Sequence, residues 1–431
     1  MHEPRVSLIT INYNGKDFLA PLLDSIRRQD FSSMDLEVIL VDNGSTDGSL
    51  DLIREHYPEV RVIANADNLG FAKANNQAAE VARGHYLALI NNDMRLEPDW
   101  LTRMVAYLDA APSDLICASS KIVNWDGTLI DFMGGTVAFN GMGFQTNFRA
   151  PVTAPASQDY PKELLFACGG AMLITREVYL EAGGFDEDYF AYFEDIDLGW
   201  RLWVLGYRVG FCGEAVAYHR FNGTSKKFGW HKKLVLFERN SLYTLIKNYD
   251  DASLAKVLPA ALLLGVKRMA VRSGLSRDEF RFAVSAAPAP LAGPVVREHL
   301  LKKALRIFQR EGIGNFARKS LVKLAEAVQR RWKDLPSQPI SEGFMPIHPE
   351  AYATVVGFED LMDHLPRLLE KRRQIQAKRR RPDHEIFAQF KTPFEVSESA
   401  ADYPVIFDAV AKAFGVTDLF LEGEPAAMKG R

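Results

Sequence analysis

The first half of the chain alternates short apolar runs with segments of helical periodicity. Apolar runs predict buried strands at Val6–Asn12, Leu36–Val41, Val60–Ala64 and Tyr86–Ile90. Helical patterns lie between them, at Phe18–Gln29, Leu50–His56 and Ala72–Ala82. This alternation predicts right-handed βαβ units and an α/β fold with a mostly parallel sheet, in which ligands bind beyond the carboxyl ends of the strands.

The pattern changes further along the chain. From about Leu129 to Pro161 the sequence is rich in Gly, Phe, Asn and Pro, which predicts irregular loops or a small antiparallel excursion. Periodicity returns with Leu164–Arg176, a helix at Asp195–Leu205 and a strand at Arg208–Tyr218. After about Phe237 the chain becomes mainly helical. We therefore expect one domain over residues 1–235 and a mainly α-helical region over residues 236–431.

Composition narrows the classes of function. The 431 residues are 47% hydrophobic and 25% charged, which is typical of a globular protein. A formal net charge of -3 gives no reason to expect nucleic acid as a partner. The cysteines Cys117, Cys168 and Cys212 lie far apart, so the sequence encodes neither a disulfide framework nor a zinc site, and a reducing compartment is expected.

Two features bear on membranes. The longest late apolar run, Val257–Val266, is shorter than the roughly 20 residues of a spanning helix, and no targeting segment is visible. This run predicts either an interfacial helix or a buried core helix. The basic groups Lys371–Arg373 and Lys378–Arg381 predict either a solvated helix face or contact with anionic lipid headgroups. We expect a cytoplasmic protein, with peripheral contact to the inner face of the cell membrane as the alternative.

Polar residues follow the predicted strands. Asp42 comes directly after an apolar run and can accept hydrogen bonds from a ligand, although a turn or helix-cap role is the plainer interpretation. Tyr13 follows the first strand and can stack on a base or simply pack. Asp93 ends Asn91-Asn92-Asp93, where a carboxylate suits Mg²⁺ or Mn²⁺, or a polar strand-to-helix turn.

Further along, three acids stand within four residues. Glu194, Asp195 and Asp197 follow an aromatic run and predict either a base of raised pKa or an acidic helix N-terminus. His219 closes the last predicted strand of the first domain, where a ligand role competes with a structural one. Each signal has an ordinary structural explanation, but their order along the chain forms one pattern.

The ordered motifs resemble the family-2 nucleotide-sugar glycosyltransferases of GT-A fold, and among them the bacterial rhamnosyltransferases. The resemblance covers Val6 to Ser225, about half of the chain. It rests on the strand and loop Val6–Gly15, on Val41–Gly48, on Asn68–Asn76, on Leu89–Asp93, on Cys168–Leu173, on Gly183–Glu187 and on Phe193–Arg201.

The resemblance implies a role for each matching residue. Asp42 would bind the nucleobase and Tyr13 would stack on it. The nucleotide and phosphate side would be lined by Asn14, Asn68, Gly70, Lys73, Asn75 and Asn92. Asp93 matches the last acid of the Asp-x-Asp motif, which binds Mg²⁺ or Mn²⁺ on the donor diphosphate. Asn91 replaces the first acid and offers a neutral oxygen, and His219 would complete the metal shell.

The resemblance also implies the reaction. Asp195 would be the catalytic base, with Glu194 and Asp197 on the acceptor side or orienting the loop. The expected enzyme is a metal-dependent, inverting glycosyltransferase. It would move a sugar, such as rhamnose, from a nucleoside diphosphate to a hydroxyl of a glycan or lipid-linked acceptor in surface polysaccharide synthesis. The oligomeric state stays open.

Two alternatives to this reading remain. Asn91 leaves room for a non-catalytic relative that binds nucleotide or carbohydrate. A nucleotidyltransferase would need a glycine-rich basic phosphate loop after the first strand, and Asn12-Tyr13-Asn14-Gly15-Lys16 does not have that composition.

Overall fold

The computed structural model describes residues 4–32, 35–154, 160–220, 229–275 and 347–421. Residues 276–346, in the middle of the predicted helical region, lie outside the described residues. The described chain divides into two compact units. The first holds the described parts of residues 1–137, 143–229 and 378–392, and the second those of residues 138–142, 230–377 and 393–431. The late segment 378–392 thus belongs to the first unit.

The first unit begins with the predicted βαβ units. Strands β1 (Val6–Asn12), β2 (Leu36–Asn43), β3 (Arg61–Asn65) and β4 (Tyr86–Ile90) are parallel neighbours. Helices α1 (Lys16–Arg27), α2 (Ser49–His56) and α3 (Phe71–Val81) connect them. Strand β4 is buried along its whole length, as a continuous apolar run requires when both faces of a sheet are covered. The predicted α/β fold is confirmed, with element ends within two residues of those expected.

The rest of the unit extends the sheet. It contains β5 (Met94–Leu96), α4 (Trp100–Asp109), β6 (Leu115–Asn124), β7 (Ile130–Phe132), β8 (Gly135–Val137), β9 (Gly143–Gln145), β10 (Glu163–Leu164), β11 (Ala171–Thr175), α5 (Arg176–Glu181), α6 (Glu194–Val204) and β12 (Arg208–His219). The strand order is β10-β12-β6-β11-β4-β1-β2-β3, with β5 on β12 and β7 on β6. The separate β8–β9 pair is the predicted antiparallel excursion.

This topology gathers the polar strand ends. Parallel pairing sets Asn12 opposite Asp42 at the ends of β1 and β2, and β4 lies on the other side of β1. Strand β12 runs antiparallel to β5 and pairs His219 with Met94, the residue after Asp93. Residues that are far apart in sequence therefore meet at the carboxyl edge of the sheet, where α/β folds bind ligands.

The second unit is helical in its described part. Its helices are α7 (Trp230–Asn248), α8 (Asp251–Arg272), α9 (Pro349–Ala377), α11 (Tyr403–Ala413) and α12 (Val416–Leu421), and the short α10 (Asp383–Ile386) lies in the first unit. Glu238 of α7 is fully buried and accepts hydrogen bonds from Arg268 and Arg272 of α8. A buried carboxylate is tolerated here because cations satisfy both of its oxygens.

The apolar run within α8 contributes to the core of the second unit. Six of its side chains are buried: Val257, Leu258, Pro259, Ala260, Ala261 and Leu264. This supports the core-helix interpretation over the interfacial one. No described helix combines the length and apolar character needed to cross a bilayer.

Some of the basic side chains in these two groups make hydrogen bonds within a unit. Arg372 is buried and donates to the carbonyl oxygens of Ile246 and Tyr249. Arg381 donates to the carbonyl oxygens of Gly206 and Tyr207. Contact with anionic lipids stays a prediction, and it rests on fewer unbound basic side chains than the sequence suggests. Co-sedimentation with anionic vesicles tests it.

The start of α3 fits closely against a later loop. Gly70 has φ +87° and ψ 169°, a combination that essentially only glycine adopts. A Cβ there would lie 2.7 Å from Phe190 Cδ2 and 2.8 Å from the Phe190 carbonyl oxygen. That oxygen accepts a hydrogen bond from the amide of Phe71, the first residue of α3. The loop before α6 therefore sits directly on the start of α3.

We predict that Gly70→Ala destabilises the first unit by about 3 kcal/mol, from backbone strain and the collision with Phe190. Gly183→Ala is the matched control, because Gly183 also has a positive φ but nothing lies within 4 Å of a Cβ there. The control should lose only about 1–2 kcal/mol. Urea unfolding measures both values, and equal losses would contradict the close fit.

Candidate active site

The centre of the site is a buried asparagine at the end of β1. The Asn12 amide nitrogen donates to Asp42 Oδ2 at 2.9 Å and to Ser45 Oγ at 3.1 Å. The Asn12 side-chain oxygen accepts from Asn92 Nδ2 at 2.8 Å. One side chain thus joins the ends of β1, β2 and β4.

Asp42, the predicted nucleobase ligand, lies inside this network. It has no exposed surface, and its second oxygen accepts from the Ser45 amide at 2.8 Å. In this conformation Asp42 shapes the loop after β2, and both of its carboxylate oxygens are bound within the protein. Tyr13 is half-buried beside it. Asn14 has φ +50°, and its side-chain oxygen accepts from the Thr46 amide at 2.8 Å, which ties the loops after β1 and β2 together.

The predicted phosphate-side residues divide into two kinds. Asn68 accepts from the Gly70 amide at 3.0 Å and from Asn43 at 3.3 Å, so it supports the turn before α3. Asn75 is buried and donates to the carbonyl oxygen of Phe71 in its own helix at 2.9 Å. Lys73 is the half-exposed cation of the group, 3.9 Å from Glu187. Lys73 is therefore the member of this set with a charge available to a phosphate.

The predicted metal residues Asp93 and His219 meet. His219 Nε2 lies 3.5 Å from Asp93 Oδ2, and the ring's other nitrogen, Nδ1, contacts Asp131 Oδ2. Burial disfavours the imidazolium, but the hydrogen bonds to Asp131 and Asp93 outweigh it and raise the pKa of His219 to about 10. Asn91 is joined to the neighbouring loop through its backbone amide, which donates to the Gly170 carbonyl oxygen at 2.9 Å.

This pair fits a divalent ion that shares its shell with a substrate. Among the described residues, no three His, Cys, Asp or Glu side chains surround one point as a complete protein metal site would require. The 3.5 Å between Nε2 and Oδ2 does match two ligands that face one ion. Mg²⁺ commonly takes one or two carboxylates and fills its other positions with water and substrate phosphate. Asp93 and His219 therefore fit two ligands of an incomplete shell.

The acidic motif begins α6 after a loop with unusual backbone conformation. Phe190, Tyr192 and Phe193 all have positive φ values, between 63° and 70°. Such conformations cost free energy in residues with a Cβ and concentrate at functional sites. They position Glu194 and Asp195 in the first turn of α6.

Asp195 is held by backbone amides from both sides. Its Oδ2 accepts from the Gly169 amide at 3.1 Å and its Oδ1 from its neighbour Ile196 at 2.8 Å. Burial raises the pKa of Asp195 although these hydrogen bonds oppose the shift. Part of the side chain stays accessible. A carboxylate that is oriented, partly open and of raised pKa is suited to accept a proton.

Glu194 beside it is more deeply buried. Its Oε2 has no hydrogen-bond partner among the described residues. Burial and the neighbouring charges of Asp195 and Asp197 raise the pKa of Glu194 well above its ordinary value. A protonated Glu194 leaves Asp195 as the charged member of the pair.

Asp197 has no surface from which to reach an acceptor. It is fully buried and pairs with Arg201 at 2.8 Å. Arg201 also donates to the carbonyl oxygens of Ala182 and Gly184. Of the two roles predicted for Asp197, orienting the loop fits these contacts and contacting the acceptor does not.

A two-glycine segment joins Asp195 to the loop that carries Asp93. Gly169 binds Asp195, and the next residue, Gly170, accepts from Asn91, two residues before Asp93. Sequence reasoning included this segment only as part of a motif and gave it no role. Sequence reasoning also missed Asp131. The acid stands within the apolar run Ile130-Asp131-Phe132-Met133, and this pattern is a signal of a buried carboxylate in a strand.

Comparison with known proteins agrees with this geometry. Residues 7–182 match the family model described as Glycosyl transferase family 2. The chain is 29% identical to the O-antigen biosynthesis protein RfbC of Myxococcus xanthus over 48% of this chain and 16% of that protein. It is 27% identical to the N-acetylglucosaminyl-diphospho-decaprenol L-rhamnosyltransferase of Mycobacterium tuberculosis over 57% of this chain and 87% of that protein.

Solved structures include a likeness over a larger share of the chain. The mannosyltransferase PcManGT from Pyrobaculum calidifontis is 18% identical, with a TM-score of 0.45, over 84% of this chain and 88% of that one. The match to the family and the mostly parallel sheet agree with each other. The similarity to the family-2 glycosyltransferases thus covers residues 7–182, the part of the chain from β1 to α5.

Proposed function

We propose that the chain is an inverting glycosyltransferase that moves a sugar from a nucleoside-diphosphate donor to a hydroxyl group of an acceptor. The observation that carries the proposal is the connected line of contacts from Asp195 through Gly169 and Gly170 to Asn91 and Asp93. It sets an oriented carboxylate next to a pair of side chains suited to a diphosphate-bound cation.

In this mechanism Asp195 takes the proton of the acceptor hydroxyl. The acceptor oxygen forms a bond to the anomeric carbon as the bond between that carbon and the donor phosphate oxygen breaks. The electron pair of the broken bond leaves with the nucleoside diphosphate. A single displacement from the opposite face inverts the anomeric configuration. The raised pKa of Asp195 favours this transfer, because a stronger base removes the proton more readily.

Asp93 and His219 would hold Mg²⁺ or Mn²⁺, which supplies stabilisation of the negative charge on the departing diphosphate. On the donor side, Tyr13 and Asn14 would border the nucleobase, and Lys73 would supply a positive charge near the phosphates. Asn92 and Asp42 would act through Asn12 by keeping the strand ends in place.

The relatives favour a class of acceptor. Their names include an O-antigen protein, a rhamnosyltransferase acting on a diphospho-decaprenol and a poly(ribitol-phosphate) glucosyltransferase. We therefore propose a glycan or lipid-linked acceptor in surface polysaccharide synthesis, with rhamnose as the first sugar to test. A cytoplasmic location with peripheral membrane contact would suit a lipid-linked acceptor.

A non-catalytic relative is the competing function, and Asn91 is the feature that favours it. Such a protein would have no need to keep a carboxylate of raised pKa beside the donor site. The amide contacts that orient Asp195 therefore support catalysis over binding alone.

We predict that Asp195→Asn lowers the transfer rate by about a hundredfold to ten-thousandfold, because the amide cannot accept the proton. Donor affinity should stay within about threefold of the wild-type value, since Asp195 acts on the acceptor. Product formation from a panel of nucleotide sugars, together with calorimetric donor binding, measures both. Asp126→Asn is the control, because Asp126 is an exposed turn carboxylate. A variant of Asp195 with full activity would exclude it as the base.

The pH profile should identify which acid titrates. Transfer requires ionised Asp195, so kcat/KM should fall as the pH falls through its pKa, above the ordinary aspartate value. Burial and the negative charges of Asp195 and Asp197 raise the pKa of Glu194 and favour its protonated form. Glu194→Gln should therefore leave the position of the acidic limb unchanged. A limb that disappears in Glu194→Gln would instead assign the titration to Glu194.

A further inference from the structure

We propose that Asp131 is a positioning residue for the cation-binding histidine, and that through His219 it supplies the negative charge that Asn91 lacks. The proposal rests on the cation role given above to Asp93 and His219. Asp131 itself would not touch the ion. It would act by fixing the imidazole and by increasing the electron donation of its Nε2 atom, which would release its proton as the cation binds.

The sheet delivers Asp131 to this position. Strand β7, which carries Asp131, pairs with β6, and β6 pairs with β12 so that Asn124 lies opposite His219. Asp131 is buried, with only 6% of its surface exposed. Its Oδ2 contacts His219 Nδ1. The contact thus joins side chains from two strands through an intervening one and is not a chance meeting of flexible surface groups.

The contact determines which ring nitrogen faces Asp93. With Nδ1 bound to Asp131, Nε2 is the nitrogen that points toward Asp93, 3.5 Å from its Oδ2. Metal-binding histidines commonly donate their other ring N–H to a carboxylate, which fixes the ring and strengthens the ligand. The Asp93–His219–Asp131 arrangement has these features.

Charge gives the pairing a second role. Asn91 occupies the position of the first acid of the Asp-x-Asp motif. The proposed cation ligands therefore contribute only the single negative charge of Asp93. The buried carboxylate of Asp131, one imidazole away, brings the local charge to a value that balances a divalent ion. The carboxylate of Asp131, bound to the metal-binding histidine, can therefore replace electrostatically the carboxylate that is missing at position 91.

A purely structural role for the contact between Asp131 and His219 predicts a different result. If Asp131 only fastens β7 to β12, its removal should lower stability without a selective effect on cation binding. The test must therefore measure cation affinity in a folded protein and must include a spectroscopic signature of the histidine.

The experiment uses the full chain and Mn²⁺ alone as the probe. Electron paramagnetic resonance gives the Mn²⁺ dissociation constant, and electron spin echo modulation detects a ¹⁴N nucleus bound to the ion. The variants are Asp131→Asn, which keeps an acceptor oxygen but loses the charge, and Asp131→Ala, which loses both. Glu97→Gln is the matched control, because Glu97 accepts a hydrogen bond from Tyr218, the residue before His219. Circular dichroism verifies folding.

We expect the Mn²⁺ dissociation constant to rise about tenfold in Asp131→Asn and more in Asp131→Ala. The ¹⁴N signal should persist in Asp131→Asn and weaken in Asp131→Ala, while Glu97→Gln matches the wild type. Wild-type affinity and signal in both folded Asp131 variants would overturn the inference.

The same experiment tests separately the cation role proposed for Asp93 and His219. If His219→Ala and Asp93→Ala bind Mn²⁺ like the wild type, or if the wild type binds none even with UDP, dTDP or GDP present, the cation role itself is wrong and the inference falls with it. If those two variants lose Mn²⁺ while Asp131→Asn does not, only the inference about Asp131 is wrong.

Discussion

The site depends on one buried side chain that joins three strands. Asn12 stands at the end of the central strand β1, donates to Asp42 and accepts from Asn92. Because a buried amide loses free energy if either of its polar atoms is unpaired, both neighbouring strand ends are held at fixed distances from β1. The loops that follow these strands carry the candidate donor residues. Their geometry is therefore a consequence of satisfying one asparagine inside a parallel sheet.

The second half of the sheet completes the site by running the other way. Strand β11 is antiparallel to β4, so its leading glycines lie beside the end of β4 and meet both Asn91 and Asp195. Strand β12 returns His219 to Asp93 through its pairing with β5. The candidate donor residues on the parallel strands and the proposed base at the start of α6 are thus connected through two glycine residues.

Much of this arrangement could be predicted from the sequence, because short apolar runs separated by helical periods specify an α/β sheet. The strand ends at Asp42 and Asp93 followed directly from those runs. The contact between His219 and Asp93 depends on the antiparallel register of β5 and β12, which no local pattern encodes. The same limit applies to Asp131. It also applies to the pairing of Asp197 with Arg201 in the core, which the acceptor-side prediction did not include.

We propose that the strand ends form a donor site completed by a divalent cation. Isothermal titration of the full chain with UDP, dTDP and GDP, in Mn²⁺ and then in EDTA, tests it most directly. The account predicts that one diphosphate nucleotide binds in Mn²⁺ and loses at least about tenfold in affinity in EDTA, as expected for an ion that bridges protein and phosphates. Absence of binding by every nucleotide under both conditions would contradict it.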